Sequence, residues 1–404
     1  MNRQRTPLRP SDFGEVDLIC FSHLRWGFVY QRPQHLMSRF AKHRRVFFVE
    51  EPVFDTERPE LRLNVCPKTG VHVVVPAVPK NIREDKLDDC LRGLISSLFK
   101  NQSIRKYAAW FYTPMALKFA DDLRPAVSIY DCMDELSLFR GAPPELIQNE
   151  QKLFARTDLV FTGGLSLFEA KCEQHPRVYT FPSSVDVPHF ARARCIRDEP
   201  ADQRNIPRPR IGYAGVIDER VNTALLADIA KEQPDWQIVM IGPVVKIPVE
   251  SLPIQPNIHY LGMKQYSELP AYFASWDAAM LPFAMNDSTR FISPTKTPEY
   301  LAAGLPVIST PIRDVVRPYG ELGLARIVGN AEEFVAAMSQ VATYGMTLKW
   351  RERADAFLST LSWDKTWGEM NHLMLQVIAG RERTFLPATA IPPQALAAKA
   401  GSDV

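Results

Sequence analysis

Residues 291–310 read FISPTKTPEYLAAGLPVIST. Two hydroxyls, a proline and a lysine (Ser293, Pro294, Thr295, Lys296) precede a short helical pattern that carries Glu299 and ends at Gly304, before an apolar run. Ser293 suits a helix N-cap and Pro294 a first helical position. The free N–H groups of a first turn, with the positive end of the helix dipole, attract an anion. Pro294 removes one donor, whereas Thr295 and Lys296 keep theirs. With the hydroxyls of Ser293 and Thr295 and the ammonium of Lys296 at one place, a diphosphate would be well held. Glu299 lies three residues after Lys296, on about the same face, and can accept hydrogen bonds from a ribose. A capped helix with an exposed lysine and glutamate is the plainer alternative. The glycine-to-strand junction behind it, which ties the helix to the carboxyl edge of a sheet, favours a site.

Two further stretches carry candidate chemistry. In FSHLRWGFVYQRPQHLMSRFA (21–41), His23, Trp26, Gly27, Arg32 and His35 follow the first strand pattern. Gly27 would let backbone approach a ligand, and Trp26 offers a face for a sugar ring. Packing is the alternative for each, most of all for His35 inside a helical pattern, but a cluster in one loop favours a functional rim. In YDCMDEL (130–136), Asp131 and Asp134 stand at or just beyond the end of another strand. Either could make a polar contact to a ligand, with a helix-capping carboxylate as the alternative.

These residues must be positioned by strands and helices that alternate. Strand patterns fall at 17–22, 45–50, 71–76, 108–113, 127–131 and 158–163, with helical stretches such as PQHLMSRFAKH between them. Pro33 suits a first turn there, and Leu36, Met37 and Phe40 share a face. After a polar, proline-rich stretch (192–210) the pattern restarts, with strands at 211–217, 237–242, 257–262, 277–283, 306–310 and 325–329. Near-continuous apolar strands separated by helices predict parallel sheets covered on both faces. Two doubly wound α/β domains follow, with the cleft between them as the expected site.

A chain of 404 residues suits two domains, and a net charge of +2 gives no electrostatic case for a nucleic-acid partner. No G-x-G-x-x-G follows a strand and no phosphate-loop motif is present, which argues against nicotinamide dehydrogenases and P-loop enzymes. No D-x-D pair offers metal ligands, so neither metal nor resident cofactor is expected. The six scattered cysteines read as reduced thiols in a cytoplasmic protein. No run is long and apolar enough to span a membrane, residues 1–15 lack the apolar core of a secretory signal, and the Pro/Ala-rich end (385–404) reads as a mobile tail.

Taken together, PTKTPEYLAAGLPVIST resembles the second half of the E-x7-E motif of retaining glycosyltransferases of family 4 (group 1), which have the two-domain GT-B fold. FPSSVDVPHF (181–190) is similar to that family's domain junction, and IGYAGVIDERVN (211–222) to the start of its nucleotide domain. NIHYLGMKQYSELPAYFASWDAAMLPF (257–283) resembles the segment whose loop holds the base, and SWDKTWGEMNHLM (362–374) the last helix. The resemblance implies an acceptor domain over 15–190, a donor domain over 207–362 and a helix over 363–382 that crosses back. It also implies a nucleotide diphosphate sugar, UDP favoured, as co-substrate. Glu299 would bind its ribose. Ser293, Thr295 and Lys296 would hold the diphosphate, and Gly262, Met263 and Lys264 would touch the base. Gly215 would abut the donor, and Arg220 is the approximate match for a second phosphate cation. Lys296, Arg220 and Asp134 would carry the chemistry, with His23, Trp26, Gly27 and Arg32 on the acceptor side. The acceptor would be a glycan or lipid-linked sugar in cell-surface polysaccharide synthesis, with peripheral association at the inner membrane face. Phe291 and Val216 stand where the family has a glutamate and an arginine. The alternatives are a GT-B nucleotide-sugar epimerase, or a catalytically degenerate partner of another transferase.

Overall fold

The computed structural model describes residues 16–344 and 347–385, so the expectations for residues 1–15 and for most of the C-terminal tail (386–404) lie outside the described residues. The first sheet contains β1 (Asp17–Phe21), β2 (Val46–Val49), β3 (Val53–Thr56), β4 (Glu60–Val65), β5 (His72–Pro79), β6 (Tyr107–Phe111), β7 (Val127–Cys132), β8 (Leu159–Thr162) and β9 (Val178–Thr180). Its order is β3-β5-β2-β1-β6-β7-β8-β9, and β4 lies antiparallel along β5. Helices α1 (Arg32–Phe40), α2 (Glu84–Asn101), α3 (Leu117–Ala120), α4 (Leu146–Arg156) and α5 (Leu165–Lys171) make the crossovers, and α6 (Val187–Ala191) stands at the junction. The strands at the centre, β1, β6, β7 and β8, are apolar and almost wholly buried, as parallel strands covered on both faces must be. Leu36, Met37 and Phe40 form the inward stripe of α1.

Sequence patterning missed β3, β4 and β9 for a common reason. VFDT and ELRLNV are half-exposed and polar, and VYT is three residues long, so none presents the continuous apolar run that marks a buried strand.

The second sheet is entirely parallel, in the order β12-β11-β10-β13-β14-β15. It comprises β10 (Arg210–Ala214), β11 (Gln237–Ile241), β12 (Ile258–Gly262), β13 (Ala278–Leu281), β14 (Val307–Ser309) and β15 (Ala325–Ile327). The helices are α7 (Thr223–Glu232), α8 (Leu269–Phe273), α9 (Lys296–Ala303), α10 (Arg313–Val315), α11 (Ala331–Tyr344), α12 (Leu348–Leu358) and α13 (Trp363–Phe385). The expected architecture of two doubly wound α/β domains is therefore present, with one antiparallel edge strand added.

Three contacts hold the domains in register. From α13, Trp363, Met370, Met374 and Ile378 join the core of the first sheet beside Leu18, Phe40 and Trp110. The His35 ring stacks on Trp363 at 4.5 Å, and Tyr266 of the second domain stacks on His189 at 4.3 Å and lies against Tyr30 at 4.6 Å. Elsewhere, the Asp314 carboxylate accepts the N–H of Ser166 at 2.9 Å in the first turn of α5. Arg313 and Arg317 both pair with Glu169 of that helix, at 2.7 and 3.0 Å.

Candidate functional site

Each sheet reverses its strand order once, between β1 and β6 in the first and between β10 and β13 in the second. Ligands of doubly wound sheets bind outside the carboxyl ends of the strands at such reversals. A cavity of about 580 Å³ lies between the two edges, lined by Trp26, Gly27, Tyr30 and Lys68 from the first domain and by Gly215, Gly242, Met263, Tyr266 and Lys296 from the second.

Its second-domain floor is backbone. Gly242 has φ +145, and a Cβ there would overlap the carbonyl of Gly215. The Gly242 N–H donates to Gly262 O at 2.9 Å and the Gly215 N–H to Ile241 O at 2.8 Å. Three strand ends thus meet without side chains between them, and a flat ligand can approach the peptide planes. Gly262 (φ +69) then turns the chain so that Met263 and Lys264 reach the cavity wall. The Lys264 ammonium is held by Asp202 at 2.6 Å.

The opening stretch folds differently from its sequence expectation. Helix α9 begins at Lys296 with Thr295 as N-cap, and Ser293 and Pro294 precede it. Pro298 explains the shift. A helix started at Pro294 would need residue 298 to donate to the 294 carbonyl, and a proline has no N–H. Thr297 N–H closes a tighter turn onto that carbonyl instead, at 3.3 Å, and Pro298 then falls in the first turn, where its missing donor costs nothing. Gly304 ends the helix in the left-handed conformation (φ +85). Lys296 lines the cavity, and its Nζ is 2.5 Å from Oε2 of buried Glu299. Burial pushes the Glu299 carboxyl above its ordinary value, with the Lys296 charge opposing the shift.

A second polar group sits where the loop after β7 meets the second domain. Arg220 is gripped by Asp218 through contacts of 2.7–3.1 Å. Its guanidinium lies 5.3 Å from the centre of the Phe139 ring, and the Lys246 ammonium lies 5.5 Å from it. Burial pushes the Asp134 carboxyl up to about 6, against the pull of Arg220 and Arg32. Burial takes His23 down to about 4 in spite of its hydrogen bond to the Tyr112 backbone, with Lys246 adding to the drop. The imidazole is therefore neutral at neutral pH, and its Nδ1 has no partner among the described residues.

The predicted residues thus divide. Trp26, Gly27, Gly215, Met263, Lys264 and Lys296 line one cavity. His23, Asp134 and Arg220 belong to the second group. Gly262 adjoins that cavity through its hydrogen bond with Gly242 and its neighbour Met263, whereas Ser293, Thr295 and buried Glu299 flank Lys296 without lining it. Arg32 corrects the expectation of a residue on the acceptor rim: it is 1% exposed and makes a two-pronged ion pair with fully buried Asp131, at 2.8–3.1 Å. It also donates to the carbonyl of Phe181 at 2.5 Å. This arginine ties the start of α1 to the end of β7 and to the interdomain strand exit, a structural role for a buried side chain that does not line the cavity. Phe291 is half-buried against the apolar cluster of the first domain that contains Val160 and Leu167, so position 291 contributes interdomain packing.

Sequence reasoning missed Gly242, Tyr30, Tyr266 and Lys68. The glycine after β11, in VMIGP, was a readable signal; nothing in CPKTG marks Lys68 as more than a turn residue. A second cavity, of about 280 Å³, was also missed. It lies at the first sheet's reversal and is lined by Phe21, Val49, Leu91, Thr113, Met115 and Phe119. Glu50 separates it from the larger one by accepting the Trp26 N–H at 2.7 Å and pairing with Arg25 at 2.9 Å.

Comparison with known proteins agrees with this geometry. Residues 208–343 match the family model described as Glycosyl transferases group 1. TuaH of Bacillus subtilis (strain 168), a glycosyltransferase named for teichuronic acid biosynthesis, is 22% identical over 196 residues. That match spans 46% of this chain and about half (48%) of the relative. Among solved structures, sucrose-phosphate synthase of Thermosynechococcus elongatus has a TM-score of 0.67 at 14% identity, over 90% of this chain and 100% of that one. HepE of Anabaena, in complex with UDP and glucose, has a TM-score of 0.64 at 11% identity, over 88% and 98%. The E. coli trehalose-6-phosphate protein bound with UDP-2-fluoro glucose has a TM-score of 0.65 at 12% identity, over 89% and 99%. The fold is GT-B, and the resemblance to group 1 glycosyltransferases is borne out.

Proposed function

We propose that this GT-B chain, with its group 1 glycosyltransferase segment, transfers a sugar from a nucleotide diphosphate sugar to a glycan or lipid-linked acceptor, with retention at the anomeric carbon. The carrying observation is the backbone floor of Gly215, Gly242 and Gly262 beside Lys296. The base would lie along the 262–267 loop. The diphosphate would draw the Lys296 ammonium away from Glu299, and the freed carboxylate would accept from the ribose. Departure of the nucleoside diphosphate builds negative charge, which Lys296 and the N–H groups at the start of α9 would stabilise. Arg220 has one guanidinium edge committed to Asp218 and would act through the other. Asp134 would meet sugar hydroxyls.

UDP is favoured as the nucleotide because HepE and the E. coli trehalose-6-phosphate protein are complexed with UDP or a UDP-sugar. The name of TuaH supports a role in cell-surface polysaccharide synthesis. The smaller, largely apolar cavity is the acceptor-side candidate, and an acceptor with an apolar carrier would suit it. Among the described residues no helix is long and apolar enough to cross a membrane; such a carrier would be met from the cytoplasmic side at the inner membrane face.

The test is turnover. UDP-glucose is incubated with the protein and a lipid extract, and released UDP and the product anomer are followed by NMR. Acceptor-dependent UDP release with the donor's anomeric configuration kept is expected. An inverted product overturns retention. Nucleotide binding without transfer from any UDP- or GDP-sugar overturns the transferase reading in favour of a binding partner, for which Phe291 and Val216 are the supporting residues.

A further inference from the structure

Resting on that donor-site reading, we infer that the tip of the β4–β5 hairpin, residues 66–70, is a first-domain part of the nucleotide subsite, with Lys68 supplying an ammonium to the diphosphate. Cys66, Lys68 and Thr69 line the same 580 Å³ cavity as Gly215, Gly242 and Lys296.

The charges on that cavity's wall select Lys68. Arg39 is paired with Asp364 at 2.9 Å, Lys264 with Asp202 at 2.6 Å and Lys296 with Glu299 at 2.5 Å. The carboxylate of Asp186, also on the wall, accepts the His189 N–H at 3.2 Å. Lys68 has no carboxylate partner among the described residues. A diphosphate entering the cavity must compete with a carboxylate for each of the other cations, whereas Lys68 has only water to release. Among the described residues, its charge is the one on this wall that no neighbouring anion compensates.

The tip is also built to hold that position. Cys66 O accepts the N–H of Thr69 at 3.2 Å and of Gly70 at 2.8 Å, and Cys66 N–H donates to Val71 O at 2.8 Å. The Thr69 hydroxyl accepts the Val71 N–H at 3.3 Å, and Gly70 adopts φ +74. Burial alone would raise the Cys66 thiol, but hydrogen bonds from Thr69, Trp26 and the backbone at Lys68 and Thr69 outweigh it and hold the thiol below its ordinary value. Cys66 and Trp26 line the same cavity. Ordering costs on binding fall on the Lys68 side chain alone. The hairpin itself contributes little core: β4 is half-exposed and Val65 is 54% exposed. A nucleotide gripped by Lys296 from one domain and Lys68 from the other binds best with the domains together.

The test uses the full chain with UDP, GDP in parallel, and uridine as the uncharged control. For the nucleotide that binds, Lys68→Met is expected to weaken affinity about tenfold, Lys68→Arg to retain most of it, and uridine binding to stay unchanged. The difference shrinks as salt rises. Independently, bound nucleotide is expected to slow iodoacetamide labelling of Cys66 about tenfold, with Cys90, Cys172 and Cys195 labelled at unchanged rates by peptide mass spectrometry. Unchanged affinity in Lys68→Met overturns the role of the ammonium, and unprotected Cys66 with nucleotide bound removes the hairpin from the subsite; the donor-site reading survives both results. Binding of neither nucleotide by the wild type at millimolar concentration overturns both.

Discussion

The two sheets bring their carboxyl edges to the same crevice and finish them in opposite ways. The second sheet ends in bare backbone: Gly215, Gly242 and Gly262 touch through peptide groups, and one short helix adds a lysine and a glutamate three residues apart. The first sheet ends in side chains recruited from far along the chain. Arg32 meets Asp131 across 99 positions, Trp26 leans on Glu50, and a hairpin swings Lys68 over the opening. A backbone floor is intolerant of a Cβ where its strands touch, as at Gly242, but needs few partners. A side-chain edge tolerates change at its exposed positions and fails at its buried pairs.

The largest effect expected from this contrast is at Gly242. Gly242→Ala puts a methyl group into the Gly215 carbonyl at a φ that L-residues avoid. It should cost more than about 3 kcal/mol in urea unfolding and remove nucleotide binding from whatever folds. Retained binding would mean that the floor is not where the ligand lies.

Arg32→Met probes the other edge. It leaves Asp131 buried and unpaired, and a loss of about 3–5 kcal/mol is expected, with part of it recovered in the Arg32→Met/Asp131→Leu pair. Nucleotide affinity of the folded variant should equal the wild type's; a selective loss of acceptor affinity without loss of stability would restore Arg32 to the rim.

A pH experiment reads the group at the seam. Because burial raises the Asp134 carboxyl from 3.8 to about 6, the folded chain keeps a proton that the unfolded chain releases between those values. That stabilisation is complete below pH 4 and is lost as pH rises through about 6. Wild-type stability should therefore decline relative to Asp134→Asn across that window and run parallel above it, as measured by urea midpoints. Parallel curves throughout would place Asp134 in contact with water.

The smallest effect is at Ser293. As an N-cap it would be worth about 1 kcal/mol, but Thr295 occupies that position, so Ser293→Ala should cost less than about 0.5 kcal/mol.

The same contrast explains what the sequence made legible. The second domain's strands and its chemistry lie close together along the chain: SPTKTPE, the glycines at the ends of β10, β11 and β12, and the loop after β12 could be read as local patterns. Even there one proline was overlooked, since the donor missing at Pro298 moves the helix start two residues. In the first domain the apolar central strands were legible, but β3 and β4 were too polar and too exposed to show the pattern of a buried strand. Arg32 was misplaced because its partner lies on a distant strand, and Lys68 was invisible because a turn lysine looks alike over a cavity or over solvent. Local physics can be read from one stretch of chain; a pairing across 99 residues needs the fold.

The central claim is that the crevice floor and Lys296 form a nucleotide diphosphate site. Its most direct test is the ligand-induced melting shift with UDP and GDP for wild type, Lys296→Ala and Glu299→Ala. A shift with one nucleotide in the wild type, lost in both variants although each remains folded without ligand, is the predicted result. No shift with either nucleotide at millimolar concentration, or an undiminished shift in both variants, would contradict it.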